Sequence, residues 1–465
     1  WGVPIPIFFC TKCGKEHITD ESIEAVRELF AREGSDAWFL KSAAEILPSG
    51  TVCHHCGGTE FTKESDIMDV WFDSGVSHAA VLDTEEENHW PCDLYFEGAD
   101  QYRGWFQSAL LTAVAWRGEA PYRQVLTHGW VVDGEGKKMS KSLGNGIESD
   151  EITNEYGADI LRLWVASSDY HSDIRISKDI LKQLSEVYRK IRNTARYILG
   201  NLYDFHPDTD QVADAALHDI DVWALSQSAE LAKRVRESYE NYEFYVIYHA
   251  VHNFCTIDMS NFYLDVLKDR LYTEAANSTS RRAAQTAIWR ILRDLTLLIS
   301  PILPFTSEEI WGYLPKSTHE DARSVVFNEM PNPVGESASS AFMARWERIH
   351  AIRDSVNKAL EGARANKCIG KPLEAKVVLS AQGELYDFVQ SLRDILPAVL
   401  IVSQVEVKNA ADGENFDLPG LGIEVRRAEG EKCERCWMYS DTVGQNEGHT
   451  ALCARCAAIL NCEVL

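Results

Sequence analysis

The sequence predicts a multidomain protein of mixed class. It reads as α/β in its first third, all-α through its middle and a small α/β unit beyond, with a cysteine module near each end. Three observations carry this. Between Asp93 and Val132, short apolar runs flank a helical pattern in strand–helix–strand order, as in a parallel sheet. From about Ile180 to Leu314, apolar residues recur at helical spacing almost without a break. Eight of the 12 cysteines stand in four C-x-x-C pairs, Cys10/Cys13, Cys53/Cys56, Cys433/Cys436 and Cys453/Cys456.

Taken in order, residues 1–66 form an entry segment in which two C-x-x-C pairs flank a helix over Glu21–Glu33 and another near Trp38–Ile46. Residues 67–179 form the α/β region. Its strands are expected around Asp93–Phe96 and Val125–Val132, with a helix over Gln101–Ala115 showing Trp105, Leu110, Leu111 and Val114 as its apolar set. Asp133-Gly134-Glu135-Gly136 is a turn-forming run, followed by a loop from Lys137 to Gly146. A helix then starts near Ser149, with Asp150 and Glu151 at the positive end of its dipole, breaks at Gly157 and resumes over Ala158–Ala166.

Residues 180–330 read as a helical bundle. In Arg281–Ile299, Ala284, Ile288, Ile291, Leu295 and Leu298 share one face; Pro301 and Pro304 end that helix, and Thr306 with Glu309 reads as a capping box for the next. Pro331–Ser340 is a linker candidate. Residues 341–425 open with a helix to 365 and continue as strands Ala375–Ser380 and Val399–Val407 around a helix Glu384–Leu396. Residues 426–465 are the last cysteine-rich module.

Composition narrows the class. The chain has 465 residues, 45% hydrophobic and 25% charged, as ordinary globular domains do. Its longest apolar run, Leu295–Phe305, is interrupted by two prolines and is too short to span a bilayer. The first residue is Trp1, and the apolar opening carries two prolines and no basic region, so it does not read as a signal peptide. We expect a cytoplasmic protein cut from the middle of a longer one. The net charge of −25 weakens nonspecific attraction to phosphate, so any nucleic-acid partner must be met by local basic patches.

The cysteine pairs point to metal in a reducing compartment. Cys433 and Cys436 are followed after 16 residues by Cys453 and Cys456, the spacing of a zinc ribbon. Four thiolates close the coordination sphere, so such an ion is structural. Cys10 and Cys13 are separated from Cys53 and Cys56 by 39 residues, a looser arrangement for which zinc is expected and a redox pair is the rival. Gly14 and Gly57 follow the two pairs closely, as knuckle turns often require. His449 and Cys462 are alternative ligands; Cys92, Cys255 and Cys368 read as small hydrophobes.

Lys138-Met139-Ser140-Lys141-Ser142 places two lysines and two hydroxyls in one loop between turn and helix. Ammonium groups and hydroxyl donors suit a polyphosphate, and a mobile lysine loop can close on it in the transition state. A merely solvated basic loop is the alternative. Near the start of the helical bundle, Arg189, Arg192 and Arg196 share a face beside Lys190, readable either as a solvated face or as a contact for nucleic acid. Arg364, Lys367, Lys371, Arg426 and Arg427 are weaker candidates for RNA backbone contact.

The pentapeptide Lys138–Ser142 matches letter for letter the KMSKS signature of the class I aminoacyl-tRNA synthetases. The surrounding blocks resemble the isoleucine-specific, bacterial-type members of that family. They are Trp1-Gly2-Val3-Pro4-Ile5-Pro6, Asp69-Val70-Trp71-Phe72-Asp73-Ser74-Gly75, Glu97 through Phe106, Tyr122 through Gly129, and Gly157 through Trp164. The resemblance runs essentially the length of the chain. It implies the C-terminal half of a Rossmann-like catalytic domain, an α-helical anticodon-binding bundle, a small α/β junction and a zinc ribbon that helps hold tRNA.

It also implies ATP-dependent activation of isoleucine and transfer to tRNA(Ile), with ATP, Mg2+ and Zn2+ as cofactors and a monomer as the state. By the same resemblance Lys141 contacts the ATP phosphates with help from Lys138, and Glu97, Gly98 and Asp100 meet the adenylate and its ribose. Gln101 faces the substrate's amino end, and Trp71 and Trp105 wall the aliphatic pocket. For the two tryptophans plain core packing is the alternative, and for His128 a packed strand-end histidine stands beside an adenylate contact. An apolar pocket separates isoleucine from valine by only ~1–3 kcal/mol, so proofreading elsewhere is expected. Two family features are not in this sequence, the HIGH-type histidine motif and the editing domain, so the piece alone is not expected to catalyse efficiently. A sister synthetase for valine or leucine, or a noncatalytic tRNA-binding derivative, remain as rivals.

Overall fold

The computed structural model describes residues 2–84, 86–332 and 338–463. Trp1, the middle of the Pro331–Ser340 linker and the Cys462 side chain lie outside them. The chain divides into two compact units. One runs to Val132 and takes in Tyr170–Ile174; the other holds Asp133–Asp169 and everything from Arg175 on.

The first unit opens with a three-stranded antiparallel sheet in the order Glu16–His17, Phe8–Cys10, Phe61–Lys63. Helix Asp20–Glu33 packs on it, its start capped reciprocally by Thr19 and Ser22. Phe8, Val26, Leu29 and Trp38 form the core there. The stretch expected as one helix near Trp38–Ile46 is two single turns, Ala37–Leu40 and Ala43–Ile46, the second opened by a Ser42/Glu45 capping box that interrupts any continuous helix.

Strands Cys92–Gly98 and Tyr122–His128 then pair in parallel, as the strand–helix–strand pattern predicts. The second strand begins three residues before the expected Val125 and stops at His128, with Val131–Val132 as a separate strand. The helix between them corrects the expectation twice. It is a 3-10 turn, Ala99–Arg103, then an α-helix, Trp105–Arg117, and its buried face is Phe106, Ala109 and Ala113. Leu111 and Val114 are exposed. This helix carries apolar residues on both sides, so periodicity could not say which side faces inward.

The second unit is mostly helical. Helices Ser149–Tyr156 and Ala158–Ser167 meet at Gly157, whose φ of 92° is a left-handed backbone that favours glycine. The long helices Lys178–Gly200, Asp219–Glu240, Thr279–Ile299 and Ser340–Ala365 share one continuous core. The predicted face Ala284, Ile288, Ile291, Leu295 and Leu298 is fully buried. That core extends into a four-stranded sheet in the order Glu414–Asn415, Gly422–Arg427, Ala375–Ala381, Gln404–Asn409. Val399 and Leu400, expected in the last of these strands, lie instead in the short helix Leu396–Leu400, which Pro397 favours at its first turn.

The Thr306 capping box is also corrected. Helix Pro304–Tyr313 has no local side-chain cap. Asp159 takes that role from another helix: its carboxylate accepts from the Thr306 N–H at 2.7 Å and the Thr306 hydroxyl at 2.5 Å. Pro304 fits at the first turn because its missing N–H would have had no partner there.

Deeper in the bundle, Asp221 is wholly buried and accepts both arms of Arg270 at 2.8 Å, with the Tyr263 hydroxyl at 2.8 Å on the same carboxylate. Removing one side of such a pair strands the other charge away from water. Asp221→Ala should therefore destabilise the protein by about 3–5 kcal/mol. The urea midpoint reads this; an unchanged midpoint would mean that Arg270 finds solvent on its own.

Candidate functional sites

In the first unit the predicted adenylate residues come together at the carboxyl ends of the parallel strands, where open α/β sheets bind ligands. Glu97 and Gly98 end one strand, paired in register with Thr127 and His128 of the other. Asp100 and Gln101 sit in the 3-10 turn that follows. A Cβ built on Gly98 would lie 2.8 Å from Asp100 Oδ1 and 3.8 Å from His128 Cε1, so the backbone there is hemmed in by both side chains. His128 Nδ1 lies 2.8 Å from the Gly129 carbonyl, which sets the ring beside the partly exposed Phe96 at 5.3 Å between centroids.

The structure separates the two tryptophans. Trp105 donates its indole N–H to the Ser74 carbonyl at 3.1 Å and stacks on Tyr95 at 4.3 Å, as a packed side chain does. Trp71, whose backbone N–H is held by Asp69 at 2.8 Å, is 48% exposed. Its ring lies against the Gly104 backbone: a Cβ at Gly104 would come within 3.2 Å of it and 2.5 Å of Gln101 Oε1. Gln101 Oε1 accepts from the Trp105 N–H at 2.9 Å, capping the helix. The end of Gln101 left over is its NH2, a donor, which suits a carboxylate or carbonyl oxygen better than an ammonium. Phe96, near the end of its strand, and Tyr102, in the 3-10 turn, are both exposed here.

The Lys138–Ser142 loop belongs to the second unit. It has little regular structure, yet it is tied. Asn145 Nδ2 donates to Asp133 Oδ2 at 2.8 Å and to the Lys138 carbonyl at 3.2 Å, while its Oδ1 accepts from the Ser140 N–H at 3.0 Å. Asp133 also accepts from the backbone N–H groups of Glu135 and Lys137. The Asn145 bond, with those backbone donors, holds the Asp133 carboxyl below its ordinary range. Lys138 and Lys141 are exposed, and neither has an ion-pair partner among the described residues, whereas Lys137 pairs with Glu135 at 2.7 Å. Asp133 and Asn145 went unnoticed in the sequence because a tie across an irregular loop has no periodicity.

On helix Lys178–Gly200, Arg189, Arg192 and Arg196 are all exposed, but two of them are already paired: Arg189 with Glu186 at 2.8 Å and Arg192 with Glu309 at 3.2 Å. Arg196 has no ion-pair partner among the described residues.

Both cysteine quartets assemble. In each, the four sulfurs lie within 4.8 Å of one another. Sγ–Sγ distances are 3.6 Å for Cys10/Cys56, 3.7 Å for Cys13/Cys53 and 3.8 Å for Cys436/Cys453. A disulfide needs ~2.05 Å. Four thiolates around Zn2+ at ~2.3 Å stand about 3.8 Å apart, so both quartets fit a structural zinc ion. Gly14 and Gly57 donate to the Cys10 and Cys53 carbonyls at 2.8 Å with φ of 67° and 72°, closing the knuckles as expected. Trp437 makes the same turn after Cys433, with φ of 63°, where no glycine is present. In the C-terminal quartet the hairpin Glu431–Lys432/Tyr439–Ser440 encloses the first pair rather than lying between the two pairs, and the second pair sits at the start of helix Ala454–Glu463.

Residues 1–177 match the family described as tRNA synthetases class I (I, L, M and V), residues 221–379 the anticodon-binding domain of tRNA ligase, and residues 430–459 the zinc finger found in FPG and IleRS. The isoleucine–tRNA ligase of Caldanaerobacter subterraneus subsp. tengcongensis is 55% identical over 98% of this chain and 50% of its own length. That of Caldicellulosiruptor bescii is 54% identical over 99% and 49%. The chain thus spans about half the length of the curated relatives it matches. Among solved structures, the LeuRS of Agrobacterium radiobacter K84, in ternary complex with tRNA and LeuAMS, superposes with a TM-score of 0.54 over 91% of this chain and 50% of that one at 16% identity, a likeness of fold. Among the described residues no helix is long and apolar enough to cross a membrane.

Proposed function

Because the chain belongs to the class I tRNA synthetases, within their isoleucine–tRNA ligase branch, we propose that it supplies the nucleotide-closing loop, part of the adenylate site and the tRNA-binding helices for activating isoleucine and charging tRNA(Ile). The carboxylate of isoleucine attacks the α-phosphate of ATP, pyrophosphate leaves, and the terminal ribose of tRNA then takes the aminoacyl group. One observation carries the reading: in a chain of net charge −25, the two signature lysines stand exposed on a tied loop, without ion-pair partners among the described residues.

The roles follow from chemistry. Lys141, with Lys138, neutralises charge that grows on the departing phosphates. Glu97 and Asp100, at the strand ends, are acceptors for the adenylate's ribose and amino donors, and Gly98 lets that backbone come close. His128 presents its ring beside them. Mg2+ accompanies ATP as the counterion of its phosphates. Trp71 walls the side-chain pocket, with Trp105 behind it as its packed support, and the free NH2 of Gln101 meets an oxygen of the substrate. Arg196 is ready for an RNA phosphate as it stands; Arg189 and Arg192 exchange a carboxylate for one. The two zinc ions are structural. We assign the protein to the cytoplasm as a monomer.

The test is amino-acid-dependent ATP–pyrophosphate exchange by a full-length ligase in which this sequence replaces the matching half of the Caldanaerobacter relative. We expect exchange with isoleucine at least tenfold more efficient than with valine, within the ~1–3 kcal/mol an apolar pocket provides. Preference for valine or leucine would overturn the assignment.

A further inference from the structure

Arg364, Lys367, Lys371, Arg426 and Arg427, which the sequence offers for RNA contact, take no part in the function proposed above. The fold sorts them. A surface cavity of about 380 Å³ is lined by Arg364, Lys367 and Arg427, with Glu374 as its one carboxylate among the described residues. Arg426 and Arg427 are neighbours in sequence but lie on opposite faces of strand Gly422–Arg427, because side chains alternate along a strand. Arg427 shares its face with Val425 and Ile423, which pack into the core on the side of helix Ser340–Ala365. It thereby meets the end of that helix, where Arg364 stands in the last turn and Lys367 just beyond. Arg426 lies on the other face, held by Glu424 through bonds of 2.6 and 2.7 Å. Lys371 is exposed but outside the lining.

The three lining cations are exposed, and none has an ion-pair partner among the described residues. Nearby acids are engaged elsewhere. Glu374 accepts from the Gly370 N–H at 2.9 Å, and Glu429 pairs with Lys376 at 2.9 Å. Glu361, three residues before Arg364, is outside the lining. Cations at a helix C-terminus often serve its free carbonyls. Here those carbonyls are already bonded: Gly362, Ala363 and Arg364 accept from the backbone N–H groups of Asn366, Cys368 and Lys367 at 3.0, 2.9 and 3.0 Å. Lys367 closes this turn with φ of 58°, a left-handed conformation that glycine adopts more readily. A lysine at that position keeps its ammonium at the cavity at a conformational cost.

We propose that this cavity binds the phosphate backbone of the tRNA, so that the α/β unit adds a grip on the RNA separate from the arginines of helix Lys178–Gly200. The inference rests on the tRNA-charging function proposed above. A chain of net charge −25 repels phosphate at long range, so a local group of cations that no acid neutralises is what the contact requires. Arg364 and Arg427 offer planar forks that meet phosphate oxygens through paired N–H donors, and Lys367 adds a point charge. Such contacts position the RNA and read no base, so they raise affinity equally for any tRNA.

The experiment follows tRNA(Ile) binding by fluorescence anisotropy with the full-length ligase carrying this sequence, from about 50 to 200 mM salt. Arg427→Gln should weaken binding about three- to tenfold and lower the slope of log Kd against log salt by about 0.7–0.9, the loss of one phosphate contact. Arg364→Gln should do the same. Arg427→Lys, which keeps the charge, should retain most of the slope, and Arg426→Gln should bind as the unsubstituted ligase does. A tRNA of another specificity should lose affinity by the same factor in Arg427→Gln. An unchanged slope in Arg427→Gln, equal losses in Arg426→Gln and Arg427→Gln, or a loss confined to tRNA(Ile) overturns this proposal and leaves the charging function standing. Absence of tRNA binding by the unsubstituted ligase at low salt overturns both.

Discussion

Replacing Lys141 by Ala in a full-length ligase carrying this sequence should slow adenylate formation by about 10²–10³-fold, the loss seen when one preorganised donor to developing charge is removed. Binding of isoleucine should change little. The reasoning is differential: an exposed lysine on a loop gains little from the ground-state complex and most from the extra negative charge on the leaving pyrophosphate. Lys141 is exposed and has no ion-pair partner among the described residues, so no such pair has to be broken before it acts. The loop's tie matters in the same way, since Asn145 holds both the Lys138 carbonyl and the Ser140 N–H. Asn145→Ala should lower the rate by a smaller factor, about tenfold, by loosening geometry rather than removing charge. Single-turnover adenylate formation measures both. Unchanged turnover in Lys141→Ala would sink the assignment of this loop.

The second large effect concerns the C-terminal cysteine centre. Cys453→Ser should drop the zinc content from two ions to one and unfold the module from about 430 onward while the helical bundle stays folded. Among the described residues, Cys433, Cys453 and Cys456 are its buried cluster, with Cys436, Val443 and Leu452 packed against them. Structural zinc in small domains is bound with an apparent ~10–16 kcal/mol, which is folding free energy for a segment of this kind. Arg455 joins the module to the bundle through a two-armed ion pair with Asp269, at 2.5 and 2.7 Å, and that link should go with the metal. Hydrogen exchange by segment measures it. Full protection of 430–460 in the zinc-free variant would mean that the module stands without its ion.

Much of this was legible beforehand where chemistry is local. The knuckle glycines, the four cysteine pairs, the lysine loop and the buried face of Thr279–Ile299 each follow from residue type and short spacing. Other features were not. Helix Trp105–Arg117 is apolar on both sides, so its inward face was misjudged. The start of helix Pro304–Tyr313 has a respectable local capping signal at Thr306 and Glu309, yet Asp159 takes the job from 147 residues away. The arginine face on Lys178–Gly200 looked free until Glu309 was found against Arg192.

Residue identity and near-neighbour spacing were enough to fix the family, both cysteine quartets and the exposed lysine loop, because ligation and charge depend on which atoms are present and on a turn or two of chain. Which tryptophan is packed and which is exposed, which arginines are already neutralised, and what holds the signature loop in place depend on which polar partners the fold brings together, some as near as Glu186 to Arg189 and some as far as Glu309 from Arg192. Those partners are chosen by burial and hydrogen-bond satisfaction in the folded chain, and no periodicity along the sequence records them.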